Sequence, residues 1–143
     1  MRVLASLFIL CIGFGVLAQS TEEETSDSGA KITFKETVHE FGEINQGDVV
    51  THVFEYENTG NEPLIISNVR TSCGCTAPNW SREPLAPGEL GELTIRFNSR
   101  GKSGMQNKII TITSNAQNSQ ERVRITGNVL RPAPAETDTE DGQ

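Results

Sequence analysis

Between Ile32 and Val129 the apolar residues recur at every second position, in short runs that each end at a turn signal. Leu93, Ile95 and Phe97 alternate with Thr94, Arg96 and Asn98. Val123, Ile125 and Val129 alternate with Arg122, Arg124 and Thr126, and Phe54 and Tyr56 alternate with Glu55 and Glu57. A period of two places one set on a dry face and the other in water, which is the pattern of a half-buried β-strand. Turn signals stand at Asn45-Gln46-Gly47-Asp48, Asn58-Thr59-Gly60-Asn61, Pro87-Gly88, Arg100 to Gly104 and Asn115 to Ser119. Ile32/Phe34 and Val38 to Ile44 read as a first strand in two pieces, and Leu64 to Ser72 and Met105 to Ser114 complete the set. No stretch carries a helical apolar stripe with caps. About seven short strands at spacings of roughly 8–12 residues predict an all-β, antiparallel β-sandwich, with a closed barrel as the alternative.

The segments outside this region differ in kind. Residues 1–18, MRVLASLFILCIGFGVLA, place Arg2 before an apolar run and end on Val16-Leu17-Ala18, the form of a secretory signal peptide. The run is shorter than the roughly 20 residues of a spanning helix, so no membrane span is expected once the signal is removed. Phe8-Ile9-Leu10 precede Cys11, which is not a lipidation box. Residues 19–30 carry a net charge of −4 and residues 130–143 carry −3, whereas residues 31–129 stand at −1. Both flanks are polar and acidic and are expected to be disordered, as a linker and a tail. The full chain carries −7, which disfavours nucleic acid as a partner because phosphates call for a basic face.

Once Cys11 leaves with the signal, Cys73 and Cys75 remain, in Thr71-Ser72-Cys73-Gly74-Cys75-Thr76. In an exported chain two such thiols tend to oxidise. Gly74 can take a positive φ to bring them together. A three-residue loop gains only about 1.6 kcal/mol from chain entropy, so the pair is a poor stability device. Four readings stay open for Cys73 and Cys75: a structural turn, a redox-labile pair, a soft-metal site for Cu(I), and pairing with another protein's cysteine.

A closed zinc site needs four ligands, and neither His39 nor His52 sits at a motif spacing from the cysteines. Each histidine is read as a half-buried or surface strand residue. Gly101-Lys102-Ser103 mimics the end of a phosphate loop, but the first glycine is missing and a strand follows, so it is read as a hairpin turn. Asn79-Trp80-Ser81 fits a glycosylation sequon. Trp80 either closes the end of the sandwich or forms an exposed contact. No nucleophile, dinucleotide or metalloprotease motif occurs, so no catalytic residue and no cofactor are expected and the chain is not read as an enzyme.

Taken together, His39-Glu40-Phe41-Gly42-Glu43-Ile44, Phe54 to Gly60, Pro63 to Ile66, Ser72-Cys73-Gly74-Cys75-Thr76, Pro87-Gly88 and Gly127-Asn128-Val129 resemble domain-of-unknown-function family 1573 over residues 31–129. That family is similar to immunoglobulin-like modules of the major-sperm-protein and abnormal-spindle type and is common in exported proteins of Bacteroidota. The resemblance implies an immunoglobulin-like sandwich at 31–129 and a location in the periplasm, the envelope or the medium. It implies no activity, substrate or catalytic residue. The leading expectation is an exported, non-enzymatic interaction or structural module of the bacterial envelope, with a protein partner. The alternative is a small redox or Cu(I)-handling protein using Cys73 and Cys75.

Overall fold

Alternation turns into layers along every long strand. In the computed structural model, which describes residues 28–133, Leu93, Ile95 and Phe97 are buried and Arg96 and Asn98 face solvent. The strands are β1 (Ile32–Phe34), β2 (Val38–Asn45), β3 (Val49–Asn58), β4 (Ile66–Thr71), β5 (Thr76–Trp80), β6 (Leu90–Asn98), β7 (Gly104–Ser114) and β8 (Gln120–Leu130). They form two four-stranded sheets, β1-β3-β6-β5 and β2-β8-β7-β4. Phe54, Leu93, Ile95 and Phe97 of the first sheet meet Ile110, Ile112, Val123, Ile125 and Val129 of the second in one buried core. A fully buried Phe or Ile contributes roughly 1.5–3 kcal/mol relative to exposure, so this facing set dominates the stabilisation of the fold. Among the described residues no helix is present, and none is long and apolar enough to cross a membrane. The signal peptide, most of the linker and most of the tail expected from the sequence lie outside the described residues.

Three features differ from the sequence reading. The sandwich is not wholly antiparallel, because β2 pairs with β8 in parallel, from Val38 opposite Arg124 to Asn45 opposite Leu130. The two pieces of the first strand explain it. After β1 pairs with β3, the chain crosses at Lys35–Thr37 to the other sheet, where the Arg124 N–H donates to the Thr37 carbonyl at 2.8 Å. The chain keeps its direction through this crossing, and β8 happens to run the same way. Second, Thr76–Trp80 is an eighth strand, at the edge beside β6. Third, order begins before residue 31: Ala30 is buried, and the Asn61 N–H donates to the Gly29 carbonyl at 3.0 Å.

Polar residues inside the fold are clamps. Asn58 is fully buried; its amide donates to the carbonyls of Glu62 at 2.7 Å and Leu85 at 2.9 Å. Its Oδ1 accepts from the N–H groups of Gly60 at 3.1 Å and Lys31 at 3.3 Å. A Cβ on Gly60 would run into the backbone of Gly29 and Ala30, so the Asn-Thr-Gly turn is packed against the start of the fold. Gly127 lacks a side chain for a similar reason, since a Cβ there would strike the Phe41 ring. Phe41 lies at the register shift between Glu40 and Glu43, beside Gly42 with φ at 71°, and stacks on Phe97 at 5.4 Å. The bulge turns Phe41 inward at the edge of the sheet.

The four edges are each blunted. β1 has three residues, β2 carries the bulge at Phe41–Gly42, β4 shifts register between Ile66 and Asn68, and β5 contains Pro78. The Asn98 N–H donates to the Cys75 carbonyl at 2.9 Å, so ladder alternation turns the backbone of Thr76, Pro78 and Trp80 outward. Proline has no N–H to offer there. Addition of a partner strand, a route the open edges of a sandwich suggest, is therefore disfavoured at all four.

Candidate functional site at the disulfide corner

β4 belongs to one sheet and β5 to the other, so Ser72–Cys75 form a corner between the layers. Local hydrogen bonds set its shape. The Thr71 hydroxyl donates to the Cys73 carbonyl at 2.8 Å, the Ser72 N–H donates to Ile109 O at 2.9 Å, and the Ile109 N–H donates to Ser72 Oγ at 3.1 Å. Cys73 and Cys75 are joined as a disulfide with Cα atoms 5.4 Å apart, within the range that a disulfide spans. Both are half-buried. Gly74 is not among the positive-φ glycines, against the expectation of a left-handed turn, and the space where its Cβ would point is open. The corner thus presents a small, accessible residue between two sulfurs.

Beside it lies a hollow of about 460 Å³ whose walls include Cys75, Ala77, Arg96, Asn98, Arg100 and Lys102. Arg96 and Asn98 are outward residues of β6, and Arg100 and Lys102 come from the turn before β7. That turn is pinned from below. Ser99 is fully buried, its Oγ accepts from the Gly47 N–H at 2.9 Å and its N–H donates to Asp48 O at 2.9 Å. Among the described residues no carboxylate lines the hollow. The ion pairs among the described residues are Lys35–Glu55 and Glu36–His52, so the three cations here are unpaired. The arrangement attracts anions.

The other sequence candidate does not join this site. Trp80 sits at the far end of β5, half-buried against the core, with Nε1 directed at the Ile66 carbonyl at 3.4 Å and the Arg82 guanidinium 5.1 Å above its ring. The histidines, read from sequence as separate strand residues, are brought together: the His39 and His52 rings stack with centroids 3.5 Å apart. Burial, then the neighbouring His52, hold the His39 pKa below the ordinary histidine value, with Glu36 opposing them. Parity was the available signal. His39 is in phase with inward Phe41, and His52 with buried Phe54 and Tyr56, so each occupies a position the pattern reserves for apolar residues.

A family model described as "Protein of unknown function (DUF1573)" matches residues 32–129, from the first residue of β1 to the penultimate residue of β8. The chain belongs to the DUF1573 family. Several segments that carried the resemblance are accounted for in the fold: Phe41–Gly42 and Gly127 pack as a pair, Asn58 clamps its turn, and Cys73–Cys75 make the corner. Among solved structures, a protein of unknown function from Porphyromonas gingivalis W83 is similar at 19% identity and a TM-score of 0.62, over 76% of this chain and 51% of that one. The ASH/PapD-like domain 7 of human CEP192 is similar at 10% identity and a TM-score of 0.62, over 93% of this chain and all (100%) of that one. The secreted serine protease VesC of Vibrio cholerae is similar at 20% identity and a TM-score of 0.53, over 76% of this chain and 25% of that one. The DUF1573 chain thus spans about half of the first of these relatives and a quarter of the protease. At these identities the likeness shows the fold, an immunoglobulin-like and PapD-like sandwich. Among curated proteins none matches the chain.

Proposed function

We propose that this DUF1573 protein is an exported, non-enzymatic interaction module of the bacterial envelope, which holds an acidic segment of a protein partner at the disulfide corner. The observation that carries the reading is the hollow of Arg96, Arg100 and Lys102, three cations with no ion-pair partner among the described residues, beside an accessible Gly74. In a chain with a net charge of −7, a local cationic surface favours a ligand of opposite sign and speeds its encounter. Blunted edges direct attention away from strand addition and toward this end of the sandwich. The signal-like residues 1–18 and the disulfide support an oxidising, exported compartment.

Two measurements test the proposal. Intact mass of protein recovered from the envelope is expected to match a chain cut near Ala18; a chain still beginning at Met1 overturns export. A photo-crosslinker at Ala77, in the hollow, is expected to trap a protein partner in native cells, whereas one at Thr111 on the outer face of the other sheet is not. Arg96→Glu with Arg100→Glu should abolish the Ala77 product. Equal trapping from both positions, or trapping that survives the charge reversal, overturns the site.

The second reading, a redox or Cu(I)-handling pair, is favoured by one observation: Cys75 shares its wall with the three cations. A glutathione titration and a Cu(I) titration of the protein, with free thiols counted, separate it from the first. Thiols that remain oxidised and inert across cellular glutathione ratios remove it.

A further inference from the structure

Where the first strand crosses between sheets, three side chains meet that no motif connects. Glu36 lies in the crossing itself, His39 is on β2 of one sheet and His52 is on β3 of the other. One ligand-capable atom from each lies within 4.8 Å of the other two. Glu36 Oε1 is 2.5 Å from His52 Nε2. The His52 and Phe54 rings stand edge to face, centroid to centroid 4.7 Å at 83°, so His52 is braced by the core. Both histidines are half-buried and Glu36 is exposed, which leaves the cluster open to an entering ion.

We propose that Glu36, His39 and His52 form a binding site for a divalent transition-metal ion of the zinc type, bridging the two sheets at the strand crossing. Two imidazole nitrogens and one carboxylate oxygen form a donor set suited to zinc and its neighbours, and not to calcium or magnesium, which take oxygen ligands. Imidazole must be neutral to ligate, so binding is expected to weaken as pH falls. In a tetrahedral zinc site the ligand atoms sit roughly 3.3 Å apart, given metal–ligand bonds of about 2.0–2.1 Å. The present separations of up to 4.8 Å are closed by side-chain rotation. The rings lie within 6° of parallel, and imidazole lone pairs lie in the ring plane, so His39 must swing out of the stack while His52 stays braced on Phe54. Solvent supplies the fourth ligand, as exposure of Glu36 allows. The site is separate from the disulfide corner and does not depend on the function proposed for it.

The chain contains two histidines, both in this cluster, so ring signals in a ¹H–¹⁵N spectrum report on it without ambiguity. Zn²⁺ added to the full, oxidised chain is expected to shift both rings at one ion per chain. It should also raise the thermal midpoint by roughly 10 °C at a hundredfold excess over Kd. Glu36→Gln, in the exposed crossing, is the fold-neutral variant and should weaken Zn²⁺ at least about tenfold; His39→Ala and His52→Ala should weaken it further. Rings unshifted at about 1 mM Zn²⁺ overturn the site, since that corresponds to no more than about 4 kcal/mol of binding. Affinity unchanged in His39→Ala also overturns it, by placing the ion on other acidic groups. A Glu36→Gln chain that binds as tightly as the wild type overturns the three-ligand set.

Discussion

The Asn58 side chain holds three segments at once: its own turn through Gly60 and Glu62, the entering strand through Lys31, and the loop before β6 through Leu85. Among the described residues no buried side-chain nitrogen or oxygen lacks a partner, and both ends of this amide are satisfied by backbone groups. Replacement by Ala removes the partner of the Lys31 and Gly60 N–H groups and of the Glu62 carbonyl at a fully buried position, while the Leu85 carbonyl keeps the Leu64 N–H. Each unsatisfied group costs about 1–3 kcal/mol. Asn58→Ala is therefore expected to lose at least about 3 kcal/mol in urea unfolding, far more than Asn61→Ala on the exposed side of the turn. Tyr56, the sole tyrosine, gives a second prediction. Burial raises its pKa above the ordinary value of 10.0. The unfolded chain gives up the proton first, so the stability is whole below pH 10 and is lost as pH rises through the folded value. Absorbance of the phenolate is expected to appear above pH 10 and to coincide with the onset of unfolding; titration at the ordinary value in a still-folded protein would contradict it.

At the scale of elements, the corner between β4 and β5 joins the layers through the Thr71 hydroxyl, which donates to the Thr76 carbonyl at 3.3 Å, as well as through sulfur. The entropy gained by closing a three-residue loop is about 1.6 kcal/mol, so Cys73→Ser with Cys75→Ser is expected to leave a cooperatively folded protein destabilised by no more than about 2 kcal/mol. Urea unfolding beside the wild type checks this, and a molten double variant would show that the bond holds the sheets together. Seven of the eight strands could be read from the sequence, β1 to β4 and β6 to β8, from apolar residues set between turn signals. β5 could not, because Thr76-Ala77-Pro78-Asn79-Trp80 presents Pro and Asn and only one large apolar side chain. Alternation assigns a residue to a face and says nothing about which strand is its neighbour, so the parallel β2–β8 pair was hidden for the same physical reason as the His39–His52 contact. Of the corner site, the cysteines were visible as a motif. Its cations were not, since Arg96 sits on a strand and Arg100 and Lys102 on a turn, in line only after β6 and the turn fold together.

Across the whole molecule, charge and fold are divided between different residues. Residues 31–129 are nearly neutral at −1, and the acidity belongs to the flanks. Gly29 and Ala30 are bonded into the fold, so a chain trimmed to residues 28–133 keeps the described contacts. It is expected to unfold cooperatively at nearly the midpoint of the protein that starts at Gln19. A fall of more than about 10 °C, beyond what 1 kcal/mol produces in a domain of this size, would mean that a flank docks. The pairing of β2 with β8 has a consequence for how the chain comes into being. The second strand made must wait for the last, because its ladder partner, Arg124 to Leu130, lies some eighty residues downstream. During synthesis β1 can pair with β3 early, but β2 has no ladder partner until nearly the whole domain has been made. Long-range closure of this kind is slow, so an emerging chain stays pliable at β2 until β8 joins it.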